Sequence, residues 1–505
     1  MTALFFALLL NMHVVDVIHY PPLNQRGEMA VSPEVYDILF YGGYLYAAGL
    51  NALSIYDLTE GTWDLKNVIQ FKGSGYIPRL YRWKNQLIIS YYVDEDDNGL
   101  LFYDISTPIQ PQWIKEFHPH DVRDEYIMIN SGFPNECRST CKVVNDLLIC
   151  NMEWYPTDPY PCTFYGSYVP FVIDLKTMKT LDIWMLDTGW NCDWNAWRSI
   201  NQSGFEYFEG NFLFQQGQGH CKIPGDFVSE AFEDGLSSTR YCSACYYFCE
   251  GCPLAPITRY KTWLMFGSAG YFSPQPLMDK MKAGVTLGGE FIYIEPYSCT
   301  LDQIWFTPQD ISGHEDWVYS TDFECQRVAN YDPETDSSNS EFAGVNVMDQ
   351  PLYRVKVLNN VVYVTAENRI YMFDPVHFDE DQPVGDVTVC SQGPILRFAG
   401  SVQDEDGIAS VSVRIGDELM ASYEFTDPYY LPHPLRREHE RPFDLHDWTV
   451  TIDTALLTPG TYSLKTVAVD WEGSFSVIEE REIEIGSTKF KSDIVPMDRE
   501  TKLIK

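Results

Sequence analysis

At residues 36–71 the chain reads "YDILFYGGYLYAAGLNALSIYDLTEGTWDLKNVIQF", a unit that recurs along the sequence. It holds a short apolar strand, a turn at Gly42-Gly43, two further apolar strands, the second ending at Asp57, and a fourth apolar stretch. Residues 78–117, "PRLYRWKNQLIISYYVDEDDNGLLFYDISTPIQPQWIKEF", repeat it with Lys84-Asn85 at the turn. Short, evenly spaced strands rich in Tyr, Ile, Leu and Val are typical of all-β proteins. Four strands in about 40 residues is the period of a β-propeller blade.

Looser copies follow further along the chain. Residues 141–186 keep the pattern with a proline-rich insertion between the central strands, and residues 352–375 return to it with Asn359-Asn360 at the turn. Dividing the repeating span by a period of about 40 to 50 residues gives about seven blades. The sequence therefore predicts a β-propeller over residues 30–378.

A different pattern begins after the acidic linker "FDPVHFDEDQPVGD" at residues 373–386. Apolar and polar residues alternate at 408–415 and again at 462–469, and Thr458-Pro459-Gly460 marks a turn. This pattern predicts a β-sandwich of about 100 residues, at 386–487. Residues 488–505 form a mildly basic C-terminal tail.

Two stretches resemble known families. "GLLFYDISTP" at residues 99–108, followed by Pro111 and Trp113, resembles the LVIVD repeat of secreted bacterial and archaeal β-propellers. "DEDGIASVSV" (404–413) and "AVDWEGSFS" (468–476) resemble the immunoglobulin-like domains of extracellular prokaryotic proteins. These resemblances imply an all-β fold and a location outside the cell, and they imply little about chemistry.

Charge and the first residues bear on partners and location. Lys plus Arg number 35 against 72 Asp plus Glu, so the formal net charge is -37. Nucleic acid and anionic membrane surfaces are therefore excluded as expected partners, because both are polyanions. The apolar run at 3–10 has the length of a signal-peptide core, and we expect residues 1–20 to be a signal segment, with a first strand at 8–18 as the alternative. We expect no transmembrane span.

Cysteines cluster in one region of the chain. Twelve of the 13 lie between residues 137 and 325, four of them in "YCSACYYFCEGCP" at 241–253. Structural zinc sites usually separate their Cys pairs by about a dozen residues, whereas three residues separate these, so we favour disulfides over zinc, an iron–sulfur cluster or a redox pair. The disulfide candidates are Cys137, Cys141, Cys221, Cys242, Cys245, Cys249, Cys252 and Cys299.

Two groups of residues are candidate metal ligands. Asp404, Asp406 and Asp470 supply carboxylates in turns of the sandwich, which suits Ca²⁺, and calcium is the cofactor that the sequence offers. His118 and His120 alternate in a loop and offer a copper or zinc site instead. For both groups a purely structural role is the simpler interpretation.

The sequence favours a non-enzymatic function. We expect a secreted or cell-surface structural or binding protein, a subunit of an extracellular filament or surface assembly, that associates with itself or with other extracellular proteins or glycans. Contact between two unlike domains would propagate into a polymer. The alternative is an extracellular propeller enzyme, either a metal-dependent oxidoreductase or a glycan-active hydrolase. The sequence contains no nucleophile elbow, H-E-x-x-H motif or Walker A motif.

Overall fold

The fold, taken from a computed structural model, is almost entirely β where it is described. The structure describes residues 23–31, 35–59, 63–71, 77–93, 97–118, 126–128, 141–154, 167–183, 186–187, 205–208, 211–216, 219–224, 240–241, 245–247, 257–260, 263–267, 291–294, 297–298, 305–306, 310–314, 317–322, 326–331, 343–377, 379, 382–405, 407–425, 445–471, 473–486 and 495–496. The expected signal segment at 1–20 lies outside these residues.

The first 32 strands, up to Phe373, come before the linker. They are β1 (Gln25–Ala30), β2 (Val35–Tyr41), β3 (Tyr44–Gly49), β4 (Ala52–Asp57), β5 (Asp64–Gln70), β6 (Ile77–Trp83), β7 (Gln86–Tyr92), β8 (Asn98–Asp104), β9 (Gln112–Phe117), β10 (Tyr126–Met128), β11 (Cys141–Val144), β12 (Leu147–Trp154), β13 (Ser167–Asp174), β14 (Lys179–Ile183), β15 (Leu186–Asp187), β16 (Phe205–Phe208), β17 (Asn211–Gln216), β18 (Gly219–Pro224), β19 (Arg240–Tyr241), β20 (Cys245–Tyr247), β21 (Ile257–Tyr260), β22 (Trp263–Gly267), β23 (Phe291–Ile294), β24 (Tyr297–Ser298), β25 (Trp305–Phe306), β26 (Asp310–His314), β27 (Trp317–Asp322), β28 (Arg327–Tyr331), β29 (Ala343–Val347), β30 (Leu352–Leu358), β31 (Val361–Ala366) and β32 (Arg369–Phe373).

Among the described residues these strands form seven blades arranged in a ring. The blades are β2–β5, β6–β9, β10–β14, β16–β18 with β20, β21–β23, β26–β29, and β30–β32 with β1, while β15 pairs with β19 and β24 with β25. The innermost strands contact one another in a closed circuit, in the order β2, β6, β11, β16, β21, β26, β30 and back to β2. This arrangement confirms the predicted β-propeller.

The ring is closed by pairing between distant parts of the chain. Strand β1 forms the outer strand of the last blade, antiparallel to β32, with Gln25 opposite Phe373 and Ala30 opposite Arg369. This strand is not predicted by the sequence, since "QRGEMA" lacks an apolar alternation. The seventh blade therefore has its fourth strand only when residues 25–30 have paired with β32.

Local turn chemistry explains the repeating pattern. Gly42 and Gly43 have φ of 57° and 82°, and Asn359 and Asn360 have φ of 48° and 56°, a left-handed conformation that Gly and Asn tolerate best. At the end of the third strand, Asp57 Oδ1 accepts hydrogen bonds from the amide and hydroxyl of Thr59, at 2.9 and 2.7 Å. Such a bond fixes the turn into the fourth strand.

The sandwich follows the propeller as two packed sheets. Its strands are β33 (Val384–Gly385), β34 (Thr388–Gln392), β35 (Ile395–Gln403), β36 (Ile408–Ile415), β37 (Leu419–Glu424), β38 (His446–Asp453), β39 (Gly460–Asp470), β40 (Phe475–Ile485) and β41 (Val495–Pro496), with a 3₁₀ turn at Thr454–Leu456. We call β33, β34, β35, β38 and β41 the β35 sheet, and β36, β37, β39 and β40 the β36 sheet. Alternate side chains from both sheets, including Phe398, Val413, Trp448 and Leu464, form one buried core.

Four blades share a buried charge at the same position of the innermost strand. Asp310, Arg354, Asp37 and Arg79 each lie five residues before the hairpin turn of blades six, seven, one and two, so the sign alternates around the ring. Arg354 joins two blades to its own: its Nε donates to Asp37 Oδ1 at 3.0 Å and its Nη1 to Asp310 Oδ1 at 3.1 Å. We call these four residues the charge belt.

The two carboxylates of the charge belt also accept hydrogen bonds from backbone amides of the next blade. Asp37 Oδ2 accepts from the amide of Leu80 at 2.8 Å, and Asp310 Oδ2 accepts from the amide of Val355 at 3.0 Å. Burial alone would raise the pKa of Asp37, but Arg354 and Arg79 outweigh it and hold the pKa below its ordinary value. Asp37 is therefore ionised at neutral pH, and the charge belt ties each of these blades to its neighbour.

We predict that Arg354→Met destabilises the propeller by about 3–5 kcal/mol, because two buried carboxylates then lose their guanidinium partner. The matched control is Arg369→Met, which removes an ion pair to Glu28 whose side chains are 33% and 46% exposed and which should cost at most about 1 kcal/mol. Urea unfolding of the three proteins measures the difference. Equal losses in the two variants would show that the charge belt does not hold the blades together.

Candidate functional site

The sandwich is docked on the hairpin turns of the first two blades. The amide of Met420 donates to the carbonyl of Ser106 at 2.7 Å, and the Met420 side chain packs into the apolar cluster between those blades, with Tyr44 and Tyr46. Its sulfur occupies the space that a Cβ on Gly42 would need, so Gly42 is required by packing as well as by its positive φ. The turn that the repeat pattern predicted is thus also a contact between domains.

A buried ion pair fixes this contact. Arg414 Nη2 donates to Asp57 Oδ2 at 3.0 Å, the two side chains are 6% and 5% exposed, and the guanidinium lies 4.4 Å from the centroid of the Tyr44 ring. Burial alone would raise the pKa of Asp57, but Arg414 and the hydrogen bonds from Thr59 hold it below its ordinary value. The carboxylate that ends a propeller strand is therefore the anchor of the sandwich.

A second ion pair lies beside the first. Arg82 donates to both carboxylate oxygens of Glu424, at 2.7 and 2.9 Å, and its guanidinium lies 4.5 Å from the centroid of the Tyr41 ring. The hydroxyl of Tyr44 also donates to Asp417 at 2.8 Å. Bidentate geometry fixes orientation as well as distance, so the β37 strand is held in one register against the second blade.

The last blade also contacts the sandwich. The amide of Asn359 donates to the carbonyl of Gly473 at 3.0 Å, and Phe475 packs against the cluster between the seventh and first blades. Gly473 has φ of 95°, and a Cβ there would lie 2.8 Å from the carbonyl oxygen of Val357. Three consecutive blades, the seventh, first and second, therefore hold the sandwich by their hairpin turns. We call this set of contacts the junction.

The junction determines which face of the sandwich is free. In β36, Val411, Val413 and Ile415 face the sandwich core, yet Ser412 and Arg414 on the other side of the strand are also buried, because the propeller covers them. The β36 sheet is thus covered on both faces along this strand. The outer face of the β35 sheet lies on the far side of the core from the junction.

A shallow groove of about 560 Å³ lies along that outer face and reaches Tyr423 of β37 at the edge of the β36 sheet. Its lining combines the small residues Ala399 and Gly400 with residues that carry charged, hydroxyl and aromatic groups. The lining residues are Asp386, Thr388, Arg397, Ala399, Gly400, Ser401, Tyr423, Asp447, Trp448 and Thr449.

The polar groups of the groove are held in place by the sheet itself. Arg397 Nε donates to Thr449 Oγ1 at 3.1 Å, and Asp386 Oδ1 accepts from the amide of Ser401 at 2.8 Å. The Tyr423 ring is 36% exposed and packs against Phe425, with ring centroids 5.0 Å apart. A guanidinium, carboxylates, hydroxyls and an aromatic ring in one groove suit a polar ligand that also offers a flat apolar face.

Apolar side chains are exposed on the outer strands of the first two blades. These blades are adjacent, since Asn67 Nδ2 donates to the carbonyl of Ile109 at 2.6 Å. Leu65 is 54% and Trp113 50% exposed. We call the exposed set the rim patch: Trp63, Leu65, Val68, Trp113 and Ile114. Leu65 pairs with Tyr56, which faces the seventh blade, and Trp113 pairs with Tyr103, which faces the first blade, so the set extends over both sides of the first blade. Large apolar groups on edge strands are a common basis of protein–protein contact.

His118, one of the two candidate histidine ligands, is placed by the structure at the end of β9. Its Nδ1 lies 3.2 Å from the carbonyl of Asn98 and 3.4 Å from the Tyr91 hydroxyl, and its Nε2 lies 3.6 Å from Glu116 Oε1. His120 lies outside the described residues. Within the described ranges, no three His, Cys, Asp or Glu side chains are grouped as a metal site would need. The copper or zinc site stays a prediction.

Two of the three candidate calcium ligands lie in neighbouring turns. Asp470 is paired with Ile408 across β36 and β39, and the amide of Trp471 donates to the carbonyl of Gly407 at 3.2 Å. Asp404 and Asp470 are 6% and 1% exposed, so both carboxylates lie inside the turns. Asp406 lies outside the described residues, and calcium stays a prediction. The Asp470 turn continues into the junction at Gly473.

The structure covers the candidate cysteines in part. Cys141 is buried in β11 and forms no disulfide in the structure. The backbone register of β18 with β20 places Cys221 opposite Cys245. The remaining five candidates lie outside the described residues: Cys137, Cys242, Cys249, Cys252 and Cys299. Disulfides at the candidate positions stay a prediction.

No family model matches the chain, and no curated protein sequence does. Similar solved structures include the computationally designed Ika8 protein, at 8% identity and a TM-score of 0.40, covering 70% of this chain and all of that one. The WD40 domain of Neurospora crassa Pan2 gives 6% identity and 0.36, covering 71% and 99% of the two chains. A luciferin-regenerating enzyme gives 8% and 0.36, covering 71% and 96%. Likenesses this weak say nothing about function. The assignment of a β-propeller fold therefore depends on the seven sheets of the structure.

In the stretches that the structure describes, no helix is long and apolar enough to cross a bilayer.

We predict that acid weakens the junction. Because the pKa of Asp57 is lower in the folded protein than its ordinary value of 3.8, its contribution is complete above about pH 4 and is lost as the pH falls through the folded pKa. Calorimetry at pH 7 should show the sandwich and propeller unfolding together, with separation of the two transitions below pH 4.

Arg414→Ala should produce the same separation already at pH 7, since it removes the cation from the buried pair. Arg397→Ala, in the other sheet of the same domain, is the matched control and should unfold as the wild type does. Identical calorimetric traces for both variants would contradict the assigned role of Arg414.

For the calcium prediction, thermal unfolding with and without CaCl₂ is the measurement. At about a hundredfold excess over Kd, bound calcium should stabilise the protein by about 2.7 kcal/mol. Asp470→Asn should abolish this shift, whereas Asp447→Asn, in the groove, should retain it. No shift in the wild type, or the same shift with Asp470→Asn, would remove calcium from these turns.

Proposed function

We propose that this protein is a non-enzymatic binding and assembly protein, secreted or displayed at the cell surface. The proposal takes the propeller as one of the LVIVD-repeat kind and the sandwich as immunoglobulin-like. Copies of the chain associate with one another, or with other extracellular proteins or glycans, into a filament or adhesive surface layer. The observation that carries the proposal is the exposure of the rim patch on the outer strands of two adjacent blades of a strongly acidic molecule.

The junction supports this function mechanically. A sandwich held by three blades cannot swing freely, so a contact made by its groove has a fixed direction relative to the rim patch. The two surfaces differ in chemistry, one polar and one apolar, and lie on different domains. Contact between unlike surfaces of identical copies is heterologous, and it propagates when the rotation does not close a ring.

Charge sets the conditions for assembly. Copies with a net charge of -37 repel one another at low ionic strength, and salt screens this repulsion over about 10 Å at 0.1 M. Apolar contacts at the rim patch are short in range and are not weakened by salt. Self-association through the rim patch should therefore grow with ionic strength.

We predict that light scattering shows the native mass rising between about 20 and 200 mM salt. Leu65→Lys with Trp113→Lys should keep the protein monomeric across that range, because two cations replace exposed apolar groups of the rim patch. Leu456→Lys is the matched control, since Leu456 is 84% exposed but lies on the sandwich, and it should assemble as the wild type does.

A wild-type protein that stays monomeric at every salt concentration would remove self-assembly from the proposal. Assembly that is unchanged by the double substitution at the rim patch would place the contact elsewhere. Equal unfolding temperatures of the three proteins establish that only the surface has changed.

A further inference from the structure

Two of the buried cysteines face each other in the third blade. Cys141 in β11 is paired directly with Cys150 in β12, and the side chains are 1% and 0% exposed. Neither forms a disulfide in the structure, and both belong to the apolar cluster between the second and third blades. Cys150 was not among the disulfide candidates, because the sequence does not show that it pairs with Cys141 across a hairpin.

The register of the β11–β12 hairpin shows whether Cys141 and Cys150 form a hydrogen-bonded or a non-hydrogen-bonded pair. A two-residue turn at Asn145-Asp146 joins Val144 to Leu147, and such a turn makes the first pair of the hairpin a hydrogen-bonded one. Pairs alternate along an antiparallel ladder, so the fourth pair, Cys141 with Cys150, is not hydrogen-bonded.

The hydrogen bond of the Cys141 amide agrees with this assignment. The amide donates to the hydroxyl of Tyr81 in the neighbouring blade, at 3.1 Å, and its partner is therefore not the carbonyl of Cys150. The Cα atoms of a non-hydrogen-bonded pair are about 4.5 Å apart. Disulfides span Cα separations of about 4.4–6.8 Å, so the backbone can accept this bond without moving strands apart.

We propose that Cys141 and Cys150 form a cross-strand disulfide in the mature protein. The two thiols give up two protons and two electrons, the S–S bond forms between their sulfur atoms, and the disulfide of an oxidant, such as oxidised glutathione, is reduced to two thiols. The bond staples β11 to β12 just before the region in which the other cysteines cluster. It requires only an oxidising environment during folding, and it does not depend on what the protein binds.

Burial makes the timing of oxidation testable. In the folded, reduced protein neither sulfur is accessible to a disulfide in solution, so the bond should form during folding and should resist later reduction without denaturant. Burial also raises the pKa of the Cys150 thiol, which slows exchange at that sulfur further. A chain folded under reducing conditions should therefore keep both thiols until it is unfolded.

The test is a peptide map of the full chain refolded in a glutathione redox buffer. Free thiols are alkylated in denaturant, and the protein is digested without reduction. Trypsin cuts after Arg138 and Lys142, which separates Cys137, Cys141 and Cys150, and chymotrypsin cuts after Trp154, which separates Cys150 from Cys162. We expect a linked peptide pair containing Cys141 and Cys150.

Cys390, a half-buried free thiol in β34, is the internal control and should be alkylated in every sample. Alkylation of both Cys141 and Cys150 after oxidative refolding would overturn the proposal. A link from either one to Cys137 or Cys162 would overturn it equally. Cys141→Val with Cys150→Val keeps the site apolar, and it should lose the linked pair and lower the Tm of the oxidised protein by a few degrees.

Discussion

Burying a guanidinium costs several kcal/mol unless a carboxylate meets it in good geometry, and this chain meets that condition at two critical places. In the ring, Arg354 bridges Asp37 and Asp310 and so joins three blades around the axis. At the junction, Arg414 reaches Asp57 from the sandwich. Both carboxylates of the first blade keep a pKa below the ordinary value despite burial, so both pairs are charged at neutral pH. The blades and the sandwich are positioned by the same kind of contact.

Much of the fold could be predicted from the sequence, because it depends on local chemistry. The left-handed turn at Gly42-Gly43 and the turn after Asp57 leave visible signatures, and they gave the blade period and an approximate blade number. Strand β1 could not be predicted, since its partner lies more than 300 residues away and its own residues are mostly polar. The contact between Asp57 and Arg414 could not be predicted either. An aspartate that ends a strand gives the same sequence pattern with or without an arginine partner from the sandwich.

The candidate functional site could also be predicted from the sequence only in part. Asp404 and Asp470 were singled out from their turns, and the structure does place them in neighbouring turns. The groove and the rim patch were not foreseen, because the groove depends on which face of the sandwich stays uncovered after docking, and the rim patch depends on which side chains of β5 and β9 stay exposed when the blades pack. The only sequence signal for the groove was the alternation in the β35 strand, where "ILRFAGSVQ" puts small and charged residues on the face opposite the core. Docking through the β36 sheet leaves that face free.

Hydrogen exchange of the two amides donated across the junction tests the central claim, that propeller and sandwich form one rigid body. The amide of Met420 bonds to Ser106 and that of Asn359 bonds to Gly473, and each lies at or next to a hairpin turn that would exchange within seconds if the domains moved apart. We expect both amides to be protected as strongly as those in the strands of the sandwich core. Exchange at the rate of an open turn, with the core strands still protected, would contradict the account.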